Sequence, residues 1–149
     1  MEARMELKDF ERAAPSARAA LTALSKAATD GGLDKALVEL IKIRASQING
    51  CAFCLQFHLT LARAADVSQR KLDLVAAWRE AGIYSQRELA ALEWTEALTK
   101  ITPQGIADAV YETATAAFNE TELAALTAAV VGINAWNRIA IAYRFTPPE

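Results

Sequence analysis

The sequence predicts an all-α protein of six or seven helices, packed orthogonally or as a bundle in one domain covering residues 1–149. Three observations carry that expectation. Apolar residues recur at helical spacing in segment after segment. Cap and stop residues punctuate those segments at their ends. No run alternates polarity in the manner of a half-buried strand. With 53% apolar and 23% charged residues, a chain of 149 residues is long enough to bury a core without covalent staples.

Taken in order, Pro15 fits the first position of a helix whose body is Ala17 to Ala28, and Asp30-Gly31-Gly32 stops it. Asp34 caps a second helix that runs to about Gln47, with Leu37, Leu40, Ile41 and Ala45 at helical spacing. Lys42 and Arg44 interrupt that pattern and predict a polar face. Asn49-Gly50 breaks the chain, and a third helix runs from Cys51 to Ala65. Ser68 caps a fourth through Trp78-Arg79, with Gly82 beyond it. Ser85-Gln86-Arg87-Glu88 has the capping-box pattern and opens a fifth helix to about Lys100. Thr102-Pro103 starts another. Asn119-Glu120-Thr121-Glu122 repeats the capping logic for a long last helix, Glu120 to Tyr143, which Pro147-Pro148 follows. Gly132, Asn134, Trp136 and Asn137 within it predict close helix packing around a satisfied polar core, with a subunit interface as the second reading.

The net charge of −2 and the lack of any Lys/Arg block give no footprint for nucleic acid and no polybasic membrane patch. The most apolar stretch, Leu123 to Trp136, is interrupted by Thr127, Gly132 and Asn134 and reads as a buried core helix rather than a membrane span. Met1-Glu2-Ala3-Arg4-Met5-Glu6 lacks the apolar region of a secretory signal, so a cytoplasmic location is expected. In that reducing compartment a cysteine pair is catalytic or metal-binding more often than structural.

Chemistry concentrates in Gly50-Cys51-Ala52-Phe53-Cys54-Leu55-Gln56-Phe57-His58, which holds both cysteines and the only histidine. Cys51, Cys54 and His58 stand at i, i+3 and i+7, on one helical stripe. Cys-x-x-Cys spacing allows two sulfurs to bond across one turn, and the free amides of a helix start stabilise a thiolate. A thiolate attacks peroxide oxygen to give a sulfenic acid, which a second thiol condenses to a disulfide. His58, at i+4 from Cys54, can take the thiol proton. The turn at Asn49-Gly50 folds the second helix back on the third and can bring Glu39 beside Cys51, where a carboxylate can pass protons. Against this stand two buried cysteines acting as small apolar residues, a solvated Glu39, and zinc held by Cys51, Cys54, His58 and Glu39. Structural zinc sites pair two knuckles, and this chain has one Cys-x-x-Cys and one His. There is no phosphate-binding glycine loop, no Ser-His-Asp arrangement and no nucleic-acid motif.

Glu39, eleven intervening residues, Cys51-x-x-Cys54, three more and His58 resemble the signature of the AhpD-like alkylhydroperoxidases in the carboxymuconolactone decarboxylase superfamily. Ile48-Asn49-Gly50-Cys51-Ala52-Phe53-Cys54 and the late Ile133-Asn134-Ala135-Trp136-Asn137-Arg138 are similar to that group as well, and the likeness is fullest from Leu33 to Arg79. The resemblance implies an AhpD-like helical fold and thiol-dependent peroxidase activity needing no cofactor or metal. It implies that Cys54 becomes the sulfenic acid, that Cys51 donates a proton and then resolves it as a disulfide, and that Glu39 and His58 form the proton relay. It implies a hydroperoxide substrate, a lipoyl-linked or thioredoxin-like dithiol reductant, and assembly as a trimer or hexamer. Phe53 departs from the pattern, because the best-characterised branch has a histidine there. Decarboxylation of a muconolactone-type substrate and a non-enzymatic dithiol redox sensor are the alternative functions.

Overall fold

The computed structural model describes every residue from Met1 to Glu149, and all its regular elements are helices apart from an isolated bridge between Thr102 and Gly105. In chain order these are α1 (Leu7–Ala13), α2 (Pro15–Asp30), α3 (Lys35–Asn49), α4 (Ala52–Ala64), α5 (Gln69–Leu74), a 3-10 turn (Val75–Ala77), α6 (Trp78–Ala81), α7 (Gln86–Thr99), α8 (Asp108–Ala117) and α9 (Glu120–Tyr143). The capping signals act as their chemistry dictates. Asp34 accepts from the Leu37 amide at 3.1 Å, Ser68 from the Lys71 amide at 3.3 Å, and Ser85/Glu88 and Asn119/Glu122 form reciprocal capping boxes. Pro15 opens α2.

Three departures from the sequence-based expectation have physical causes. The first is an additional helix, α1. Its single buried residue, Phe10, inserts among Trp136, Tyr143 and Phe145 at ring-centroid distances of 6.0–6.2 Å, so contacts with the far end of the chain hold it. The second is the fourth helix, which tightens to 3-10 geometry over Val75–Ala77. Leu72, Val75 and Trp78 are all buried, and a spacing of three matches three residues per turn better than 3.6. The third is Thr102-Pro103, which makes a turn and not a helix start. Gly105, at φ +75°, donates to the Thr102 carbonyl at 2.9 Å and closes it, and α8 begins only at Asp108.

The long, mostly apolar α9 and the central α3 organise the packing. The α9 helix lies chiefly along α2 and then α3, while α3 also packs on α4 and α7. By length and composition alone α9 could cross a membrane, yet Leu126, Ala129, Val130 and Ile133 are buried in contact with other helices of this chain. Small residues permit the close α2–α9 approach. Gly132 faces Leu24 and Ser25, and a Cβ added to Gly31 would come within 2.3 Å of the Ala125 methyl. Of the two stop glycines, Gly32 supplies the left-handed turn at φ +83°, whereas Gly31 has ordinary φ and is small because α9 leaves no room.

The expected polar face of α3 is turned inward. Lys42 is buried, and Arg44 reaches Glu96 of α7 at 2.8 Å. Trp78 Nε1 and Arg79 Nη1 donate to the same carboxylate at 2.9 and 2.6 Å. Burial acts to raise the Glu96 pKa, but hydrogen bonds from Arg79, Trp78 and Arg44 and the Arg44 charge outweigh it and hold the carboxyl at about 2 against an ordinary 4.5.

Two expectations follow from these contacts. Gly31→Ala should destabilise the fold by about 1–3 kcal/mol in urea titrations, and Ala125→Gly should recover part of that loss. Glu96→Gln should cost roughly 2 kcal/mol at pH 7, because charge-assisted hydrogen bonds to three donors are lost. A depressed carboxylate pKa stabilises above the unfolded value and loses that effect as pH falls through the folded one. The gap between wild type and Glu96→Gln, read from melts at pH 7 and pH 3, should therefore narrow below about 4.5 and close towards about 2.

Candidate active site

The site is built on the α3–α4 hairpin. Gly50, at φ +70°, takes the left-handed conformation that ends α3, and the Cys51 amide bonds back to the Ser46 carbonyl at 3.0 Å. That reversal sends α4 back alongside α3. Asn49 secures the turn to α9 by donating to the side-chain oxygens of Asn134 and Asn137, each at 2.9 Å. Asn137, fully buried, donates in turn to Ser46 Oγ at 3.1 Å, and Asn134 to Thr99 of α7 at 3.0 Å. The polar residues of α9 thus form the satisfied polar core that their spacing predicts.

Cys51 is the residue that caps α4. Its Sγ accepts from the Cys54 amide at 3.3 Å, and it is joined to Cys54 in a disulfide with Cα atoms 5.4 Å apart. Both cysteines are buried, at 2% and 3% exposure, but only Cys54 lies on the wall of a cavity of about 210 Å³. Around that cavity, α4 contributes Phe53, Phe57 and His58 beside Cys54, α9 contributes Ile133 and Trp136, and α2 contributes Arg18 and Thr22. Phe53 stacks on Phe57 with ring planes 11° apart and meets Phe145 edge-on at 5.4 Å, so it forms an aromatic wall beside Cys54.

Glu39 and His58 meet across the hairpin. Glu39 Oε2 lies 2.6 Å from His58 Nδ1, and the two side chains are only 5% and 10% exposed. Burial leaves the carboxylate one strong partner, and the contact orients the imidazole through Nδ1 and leaves Nε2 free of it. The bonding partner of Glu39 is therefore His58 and not Cys51. The solvated glutamate that the sequence also allowed is excluded by its 4% exposure. No three His, Cys, Asp or Glu side chains are arranged to hold a metal ion.

Lys42 joins this group unforeseen. Its amine lies 3.9 Å from Glu39 Oε1 and reaches the cavity wall beside Cys54 and His58. Burial lowers its pKa from the ordinary 10.5, opposed in part by the Glu39 charge. A signal for it exists in the sequence. Glu39, Lys42 and Ser46 stand at i, i+3 and i+7, so a helix that buries Glu39 buries Lys42 on the same stripe. Arg18 and Trp136 reach the cavity from helices distant in sequence, and their guanidinium–ring contact at 5.5 Å carries no local signal.

The model of the carboxymuconolactone decarboxylase family matches residues 15–97, more than half of the sequence. The chain belongs to this family. A Bacillus subtilis member, the uncharacterized protein YdfG, is 35% identical over 87% of this chain and 88% of its own. The uncharacterized Escherichia coli protein YnjA is 33% identical over 66% of this chain and 53% of its own. Among solved structures, an Agrobacterium tumefaciens protein of unknown function, for which an AhpD-type antioxidant role has been suggested, superposes with a TM-score of 0.91. It is 38% identical, with 99% of each chain covered. The AhpD core of a peroxidase-related protein from Ralstonia eutropha superposes at 0.81 with 23% identity, over 95% of this chain and 75% of that one, a likeness of fold. The all-α AhpD-like architecture is thereby established for this carboxymuconolactone decarboxylase family member.

A buried amine whose pKa is depressed is held at a cost to the fold at pH values where it is charged, and stability from it rises with pH towards 10.5. Lys42→Met should accordingly raise stability at pH 7 by up to about 1 kcal/mol, read from urea midpoints, in the manner of other functional-site replacements.

Proposed function

We propose that this protein is a thiol-dependent peroxidase that reduces organic hydroperoxides through the Cys51/Cys54 pair. The observation that supports it most directly is the placing of one sulfur of a bonded pair, Cys54, on a cavity wall with His58, which Glu39 holds at 2.6 Å. In the reduced protein His58 takes the Cys54 proton at Nε2 while Glu39 steadies the imidazole through Nδ1. The Cys54 thiolate attacks the terminal oxygen of ROOH, the O–O bond breaks, and the proton held on His58 passes to the leaving alkoxide to give ROH. Cys54 is then a sulfenic acid. Cys51 attacks that sulfur, water leaves, and the disulfide forms. A lipoyl-linked or thioredoxin-like dithiol returns two electrons and two protons, becoming a disulfide itself.

Division of labour between the sulfurs agrees with their surroundings. The Cys54 amide points at Cys51 Sγ, so helix-start stabilisation falls on Cys51, the resolving thiol. Cys54 has the cavity and the imidazole. Phe53 contributes no titratable group, so Glu39 and His58 make up the relay. Activity in the cytoplasm and assembly as a homotrimer or hexamer belong to the same reading.

After one equivalent of cumene hydroperoxide, mass spectrometry should find a disulfide in the reduced wild type and a trapped sulfenic acid on Cys54 in Cys51→Ser. Turnover with a dithiol should vanish in Cys54→Ser and fall roughly 10²- to 10⁴-fold in Glu39→Gln and His58→Ala. Full turnover in Cys54→Ser would overturn the assignment. A disulfide that forms without hydroperoxide consumption under any dithiol would make the protein a redox sensor. Lactone decarboxylation that survives replacement of both cysteines would make it a decarboxylase.

A further inference from the structure

We infer that the cavity beside Cys54 takes an apolar ligand carrying a carboxylate, and that Lys42 is the residue that binds the carboxylate. Lys42 is about nine-tenths buried, with its side chain 10% exposed, yet its ammonium makes no hydrogen bond within the protein. The nearest acceptor, Glu39 Oε1, is 3.9 Å away, beyond hydrogen-bond reach, and the other Glu39 oxygen is committed to His58. The nitrogen is not sealed off, and its three donors have to find acceptors from outside the protein. The one direction from which a partner can come is the cavity, whose wall Lys42 forms.

The other cationic side chain on that wall is already engaged. Arg18 donates to Glu11 and to Thr22 and lies over the Trp136 ring. No Asp or Glu lines the cavity, and the one carboxylate near its cation is Glu39, 3.9 Å from the Lys42 ammonium, which offsets part of that charge. Phe53, Phe57, Leu61, Ile133 and Trp136 make most of the remainder apolar, with the Thr22 and Ser25 hydroxyls on the α2 side. A volume of about 210 Å³ holds roughly seven to ten non-hydrogen atoms at ~20–30 Å³ each. An apolar container with a single unmatched cationic donor group selects a short alkyl or aryl body with one anionic oxygen group. Carboxylate fits the ammonium as a point-charge partner and relieves the burial that disfavours its charged form. Taken with the peroxidase reading, on which this part rests, the substrate class is an organic hydroperoxide bearing a carboxylate, with the carboxylate at Lys42 and the O–O group at Cys54.

The test separates binding from chemistry by using ligands that carry no peroxide. Octanoate and 1-octanol share a chain and differ in the anionic head. Calorimetric titration into the oxidised wild-type protein should show octanoate binding at least tenfold tighter than 1-octanol. Lys42→Met should remove that tenfold preference and leave 1-octanol unchanged, while Lys42→Arg should retain most of it. Equal affinity of the wild type for the two ligands would overturn the inference without recourse to any variant, as would an octanoate affinity that Lys42→Met leaves intact. Hydroperoxide consumption is measured separately. Octanoate selectivity in a protein that consumes no hydroperoxide would sink the peroxidase reading and leave the carboxylate site standing, and the reverse result would do the opposite.

Discussion

The whole site depends on one backbone reversal. Gly50 stands at φ +70°, a conformation that costs an L-residue about 1 kcal/mol or more and glycine almost nothing. Because α3 ends there in a left-handed turn, α4 runs back alongside it, and a carboxylate early on one helix meets an imidazole on the other at 2.6 Å. The same reversal puts Cys51 at the α4 start, where its sulfur receives a free amide of the first turn, that of Cys54. Asn49, one residue earlier, is pinned by two asparagines of α9, so the turn is held from outside the hairpin as well as from within. The Glu39–His58 contact, the disulfide and the anchor to α9 thus follow from a reversal within nine residues of chain, Ser46 to Cys54.

Much of this was legible from the residues, and the limits of legibility are instructive. Cap chemistry is local, and so Asp34, Ser68, Ser85 and Asn119 marked helix starts that the structure shares. The i, i+3, i+7 stripe of Cys51, Cys54 and His58 is equally local. What the residues did not disclose came from tertiary contact. The α1 helix exists because Phe10 finds three aromatic rings contributed by the last fourteen residues of the chain, from Trp136 onward. Lys42 and Arg44 look like a solvated face until Glu39 and Glu96 are seen to draw them in. A charged residue flanked by isoleucines reads as an interruption of a pattern when it is in fact part of a buried polar stripe.

Two buried acidic groups illustrate different uses of similar chemistry. Glu96 is saturated by Arg44, Arg79 and Trp78, its pKa is driven down, and it ties α7 to α3 and to α6. That is a structural carboxylate, with every strong acceptor position filled. Glu39 has one close partner, an imidazole, and a lysine just beyond bonding distance. Unfilled capacity next to a cavity is what distinguishes a group available for chemistry from one consumed by the fold.

The α2–α9 contact has a consequence for the cavity at its far end. From one end to the other, Gly31 meets Ala125, Ser25 meets Gly132, and Arg18 meets Trp136, the last pair being part of the cavity wall. Spacing between the two helices is set by glycines that touch neither sulfur. The redox hairpin, by contrast, is held to α9 through the asparagines and leans on α2 for nothing in its hydrogen bonding. The molecule therefore has two separate seams: the small residues between α2 and α9 set where Arg18 stands against Trp136 in the cavity wall, and the asparagines of α9 hold the disulfide-bearing hairpin. The shape of the chamber is thus governed by residues that neither line it nor touch the disulfide.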